Sequence, residues 1–195
     1  MQAVSKRKLL AAGLFVLMLV VLQFAIAALE FDRQQILAGQ MWRLWTGHLV
    51  HTHSSHLVLN AVVAIALYII VFTRLRALEL LFCAVIFACL ISISLLYWHP
   101  YLDWYNGLSG LLHGLASYCL LRLALSEHKQ YALGLVAVWL KVLFEMCQGQ
   151  LGYQHQLAGM TVISQAHYIG AWVGSCAAVC YIAVQKLLLR RALRL

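Results

Sequence analysis

The stretch Asn106-Gly107-Leu108-Ser109-Gly110-Leu111-Leu112-His113-Gly114 sets one hydroxyl between two glycines in an otherwise apolar chain. A serine hydroxyl attacks a carbonyl only when a base takes its proton. Two histidines could serve. His113 lies four residues on, on the same helix face. His167 opens the segment Ala166-His167-Tyr168-Ile169-Gly170-Ala171-Trp172-Val173-Gly174. Gly110 and Gly114 form a GxxxG pair, as do Gly170 and Gly174, and small residues at that spacing let helices approach closely; Gly107 is grouped with them as a packing glycine. Packing the two faces together would carry His167 to Ser109. His56 and Asn60, one helical turn apart, are side-chain donors. With the Ser109 amide they could hold an oxyanion. Each residue also has an ordinary reading: Ser109 as a small packing residue, His56 as a helix-end histidine in water, Asn60 as an interhelical hydrogen bonder.

The chain that must position them has 195 residues, 64% hydrophobic and 10% charged, with a mean hydropathy of +0.86. Soluble domains do not carry that much apolar surface, whereas a bilayer accepts it. One membrane domain over residues 1–195 is expected, since no Pro/Gly/Ser-rich linker or repeat divides the chain. The net charge of +8 forms no basic face, which argues against nucleic acid. Instead Lys6–Lys8, Arg74 and Arg76, Arg122 and Lys129, and Lys186–Arg194 fall at alternate segment ends, the positive-inside pattern. The six cysteines form no CxxC pair and read as buried thiols.

Six apolar runs predict six spans: 9–29, 57–72, 77–97, 108–125, 131–147 and 166–184. The charge bias puts both termini in the cytoplasm and 30–55, 98–106 and 148–164 on the opposite side. The 30–55 stretch, with Trp42, Arg43 and Trp45, is too long and aromatic for a turn. It predicts a loop partly embedded in the membrane. Ser109 precedes Arg122 by thirteen residues, so a helix would lift it about 20 Å above that arginine. It would then start a helix inside the hydrocarbon layer. Free amides there must line a water cavity or be covered by protein, and they favour an anion.

Four motifs in order resemble the rhomboid family of intramembrane serine proteases: Trp42-Arg43; His51, His56 and Asn60; Gly107-Leu108-Ser109-Gly110; and Ala166-His167 followed by Gly170 and Gly174. The resemblance implies an all-α six-helix bundle with a partly embedded loop between helices 1 and 2. It implies a Ser109–His167 dyad without a third acid, with His56, Asn60 and the Ser109 amide as the oxyanion hole. No cofactor or metal is implied. The compact chain and Gly-Leu-Ser-Gly-Leu-Leu-His-Gly look like the bacterial rhombosortase branch. That branch implies a multi-pass inner-membrane enzyme opening to the periplasm, acting on proteins anchored by a Gly-Gly-type C-terminal transmembrane tail. Many rhomboids carry Tyr where His113 stands. His113 can stack on His167, orient it, or compete as base. Lys141 and Glu145, at i, i+4 in the fifth span, are either an ion pair or a contact for the substrate tail. Two rival readings remain. One is an inactive rhomboid-like binder of membrane helices. The other is a metal-binding protein built on His48, His51, His53, His56 and His99.

Overall fold

The structure, a computed structural model, describes residues 6–149, 155–157 and 160–193. Helix α1 (Lys6–Leu22) tightens through a 3-10 turn at Gln23–Ala25 into α2 (Ile26–Leu29). The Gln23 side-chain amide bonds back to the Leu19 carbonyl, and side chains that compete for helix carbonyls disturb regular winding. Two short helices follow, α3 (Arg33–Leu37) and α4 (Arg43–Thr46). The long helices are α5 (Ser54–Ile70), α6 (Ala77–Trp98), α7 (Ser109–Ser126), α8 (Tyr131–Gly149) and α9 (Ser164–Ala192).

Among the described residues, five stretches are long and apolar enough to cross a membrane: Leu9–Leu29, Ser54–Arg74, Ala77–Trp98, Tyr131–Gln148 and Ser164–Ala192. Helix α7 is the expected sixth and is not among them. It carries Ser109, His113, Ser117, Tyr118 and Arg122, which lower its apolarity. It is also the most enclosed element, with eleven of its 18 residues buried. A helix that touches protein instead of lipid can hold polar side chains without exposing them to hydrocarbon.

The packing follows from that enclosure. Leu111, Leu115, Tyr118 and Cys119 of α7 share one core with Phe87 of α6, Leu19 of α1 and Ala178 of α9. Along α9 the two GxxxG faces meet. A Cβ at Gly170 would run into the Gly110 carbonyl, and one at Gly174 into that of Gly114. Gly110, Gly114, Gly170 and Gly174 thus lie where the two backbones come closest. Gly107 differs. It lies ahead of the helix with φ of 121°, and a Cβ there would sit 2.6 Å from the His56 ring. Gly107 thus makes a turn and a seat for His56, not a helix contact.

The all-α expectation needs one amendment, because two short antiparallel ribbons occur. β1 (Phe31–Asp32) pairs with β2 (Trp104–Tyr105), Phe31 facing Tyr105. β3 (His155–Leu157) pairs with β4 (Met160–Val162). The first ribbon ties the loop after α2 to the segment leading into Ser109. Much of the expected 148–164 connection lies outside the described residues.

Two guanidinium groups, half-buried Arg33 and buried Arg43, brace the loops. Arg33 donates to the carbonyls of Leu95, Leu96, His99 and Leu102. These carbonyls include those left unpaired at the end of α6, where a cation also suits the helix dipole. Arg43 donates to Gln40 and to the carbonyls of Glu30 and Ala27. Trp42 and Trp45 remain 50% and 36% exposed beside exposed Leu37 and Met41. Their indole N–H groups reach the carbonyls of Ala28 and Val85. The loop therefore presents an apolar outer face over a polar interior braced by these hydrogen bonds.

The cysteine expectation is corrected in part. Cys83 and Cys119 are buried, but Cys147, Cys176 and Cys180 are exposed. In a chain of membrane helices an outward face meets lipid, so it need not be polar.

Candidate active site

Ser109 opens α7, and Leu108 supplies no side-chain cap. The first amides of a helix have no acceptor within it, so the Ser109 N–H points out of the helix start. Its Oγ lies 2.7 Å from His167 Nε2. His167 is buried, 4% exposed, and the close crossing of α7 and α9 brings it there. The other imidazole nitrogen, Nδ1, is 2.7 Å from Glu145 Oε2 on α8. Glu145 Oε1 accepts from Lys141 Nζ at 2.9 Å. The resemblance implied no third acid, yet a carboxylate stands on the far side of the imidazole. Lys141 and Glu145 form the ion pair that their spacing allowed.

His113 stacks on His167 with centroids 4.3 Å apart and planes 16° from parallel. Its Nδ1 is 2.7 Å from the Ser109 carbonyl, and a carbonyl only accepts. Nδ1 therefore carries the proton, and Nε2 accepts from Lys141 Nζ at 2.9 Å. Of the three roles open to His113, stacking matches this geometry. Neither of its nitrogens points to the Ser109 hydroxyl.

His56 and Asn60 are placed less directly. His56 lies against Gly107 and edge-on to His51, with centroids 5.0 Å apart. Asn60 Nδ2 donates to His51 Nε2 at 2.9 Å. Among the hydrogen bonds of the described residues, none joins His56 or Asn60 to Ser109. His51 Nε2 also accepts the Leu108 amide at 3.3 Å. So His51 orients Asn60 and the backbone just before the serine.

The loops around the site are pinned by residues that the sequence did not single out. Gln23 Oε1 accepts the His51 amide at 2.6 Å, and Gln23 Nε2 donates to the Leu49 carbonyl at 3.3 Å. Asn106 Oδ1 accepts from the Thr52 amide and hydroxyl. Tyr105 donates to the Gly107 carbonyl at 2.7 Å. The Gly107 amide donates to Gly47. His48 Nε2 lies 3.1 Å from both the Ala88 carbonyl and the Ser92 hydroxyl. Gln23 had one visible signal, a lone amide in an apolar run. Asn106 sat inside the motif itself, unread.

Electrostatics suit neutral imidazoles in the loop. Burial holds the His48 pKa down to about 4, against an opposing hydrogen bond to Ala88. Burial, with His56 beside it, holds His51 down to about 3. The histidines do not converge on a shared point: among the described residues no three His, Cys, Asp or Glu side chains form a metal-binding group.

Apolar helices around a half-buried serine in contact with a buried imidazole define a helical membrane protein. The rhomboid domain matches residues 38–184, most of the chain. The protein belongs to the rhomboid family, whose members are intramembrane serine proteases acting on membrane-protein substrates. No curated protein matches the chain.

Proposed function

We propose that the protein is a serine endopeptidase of the membrane that cleaves anchored proteins near the outer end of their C-terminal transmembrane tail. The observation that carries this reading is the 2.7 Å contact between Ser109 Oγ and His167 Nε2 at the start of an enclosed helix. Ser109 is the nucleophile and His167 the general base. The Ser109 proton moves to Nε2 as the Oγ–carbon bond forms. The same proton passes to the leaving amine as the carbon–nitrogen bond breaks. Water then attacks the acyl-enzyme, again through His167, and frees Ser109. The Ser109 amide, with His56 and Asn60 from α5, stabilises the tetrahedral oxyanion. For Asn60 this uses the amide N–H that His51 does not take.

The chain is read as one domain over 1–195 with six spans, α7 being the enclosed one. Both termini are cytoplasmic and the serine opens to the periplasm of a bacterial inner membrane. Trp42, Trp45, Leu37 and Met41 give the 30–55 loop an apolar face suited to lipid. Gly-Gly-type sorting tails are the proposed substrates, on the likeness to the rhombosortase branch. Glycine weakens a helix by about 1 kcal/mol relative to alanine, which helps a tail unwind into the site.

The test is labelling with a fluorophosphonate, comparing the wild type with Ser109→Ala and His167→Ala at equal abundance. Both variants are expected to lose labelling. Wild-type labelling of Ser109→Ala would overturn the reading.

A further inference from the structure

We propose that Glu145 is a positioning residue for His167, so that the site works as a Ser109–His167–Glu145 triad. The argument rests on the reading of Ser109 and His167 as nucleophile and base, and begins with the tautomer that reading needs. To take the serine proton, Nε2 must present a lone pair. A neutral imidazole then carries its hydrogen on Nδ1. That N–H needs an acceptor, because an unpaired buried donor costs about 1–3 kcal/mol.

Two polar atoms stand at Nδ1. Glu145 Oε2 is at 2.7 Å and Lys141 Nζ at 3.3 Å. An ammonium only donates, so Lys141 facing Nδ1 alone would favour the opposite tautomer, with the hydrogen on Nε2. That tautomer cannot accept from serine. The carboxylate is nearer, and it alone supports the productive form. Lys141 has other work. Its contacts to Glu145 Oε1 and His113 Nε2, both 2.9 Å, leave Oε2 turned to His167.

The Glu145 side chain is only 12% exposed. Its charge therefore acts through less water than a surface group would. When the imidazole gains the serine proton, the carboxylate faces a cation at hydrogen-bond distance. His113, stacked on the ring, blocks rotation about the axis that would break this alignment. Thus α7 supplies nucleophile and stacking ring, α9 the base, and α8 the orienting acid. The fifth-span charge pair is then part of the site.

The test uses the full chain in detergent and the saturation kinetics of fluorophosphonate labelling. This probe reads serine reactivity without a substrate tail. Glu145→Gln is expected to lower the maximal labelling rate about 10⁴-fold with half-saturation within about threefold. Glu145→Asp, which keeps the carboxylate, is expected to recover at least about tenfold of that loss. If Glu145→Gln does not accumulate, the Lys141→Met/Glu145→Gln double variant removes both charges and makes the same comparison. A wild-type maximal rate in the folded Gln variant, a change confined to half-saturation, or no recovery in Asp would each overturn the triad. Loss of labelling in Ser109→Ala and His167→Ala, alongside an unaffected Glu145→Gln, would sink the triad and leave the serine–histidine pair standing.

Discussion

Helix α7 ends in two charged clusters, and the chemistry each permits is different. At its start, Glu145 meets Lys141 and His167, and Lys141 reaches His113. Toward its end, Arg122 pairs with Glu79 of α6, lies 4.1 Å over the Tyr181 ring and donates to the Tyr181 hydroxyl. Tyr118 donates to the same Glu79 at 2.6 Å. Both clusters offset one carboxylate with one cation among helices. An arginine never releases its proton in a protein, and tyrosines hold theirs near neutrality, so the Arg122 cluster cannot pass protons. Two imidazoles make the other cluster able to do so. A charge pair among helices is thus no mark of a site by itself; what matters is whether a group that can both take and give a proton touches it.

Substitutions can break this contrast at several depths. The largest effect is expected where the backbones cross. Gly174→Leu would force α9 off α7 and remove labelling at the serine together with thermal stability. Retained labelling would show that the crossing does not hold His167 in place. Acid comes next, because it should strike the serine end. The His48 pKa is lower folded, about 4, than unfolded, near 6.5, so its neutral form favours the folded state. That contribution is full above pH 6.5 and declines as pH falls toward 4. It amounts to about 3 kcal/mol at most, at about 1.4 kcal/mol per pH unit. Thermal melts from pH 7 to 4 should show a slope of this sign, to which His51 adds its own share, and His48→Asn should make it shallower by the part that His48 contributes.

Smaller effects test the other cluster and the stacking ring. Arg122→Met leaves Glu79 without its cation and should cost about 2 kcal/mol. A denaturation midpoint would report that, while the labelling rate per folded molecule stays unchanged. A fall in that rate would mean that the far cluster reaches the site. His113→Ala should slow labelling about fivefold, in line with about 1 kcal/mol for an aromatic pair. His113→Phe should recover part of it by restoring the ring.

The chain reveals its helices and the serine–histidine meeting for the same reason. Both rest on patterns local to a segment, the apolar runs and the glycine spacing. The enclosure of α7 was partly visible in Ser109, His113 and Arg122 on one helix. Glu145 was noticed as a charge but not as a neighbour of His167, because that contact joins α8 to α9 and depends on how both rotate. His51 and Asn60 show the same limit. Their spacing marked one cluster, yet only the fold sets the Asn60 amide on His51 Nε2. Gly107 was grouped with the packing glycines because its positive φ is a property of a turn that spacing does not encode. Tyr105, Thr52 and Asn106 act through loop contacts, which carry no periodic signal.

Gln23 gives the first helix a larger part than a membrane anchor would need. It grips the loop on both sides of Val50, while lying ahead of the residues that the rhomboid domain matches. An unrelated anchor spliced in its place could insert the chain correctly and still leave His51 unmoored. Compatibility between the leading helix and the loop is therefore a condition for exchanging parts between such proteins, and one glutamine sets it.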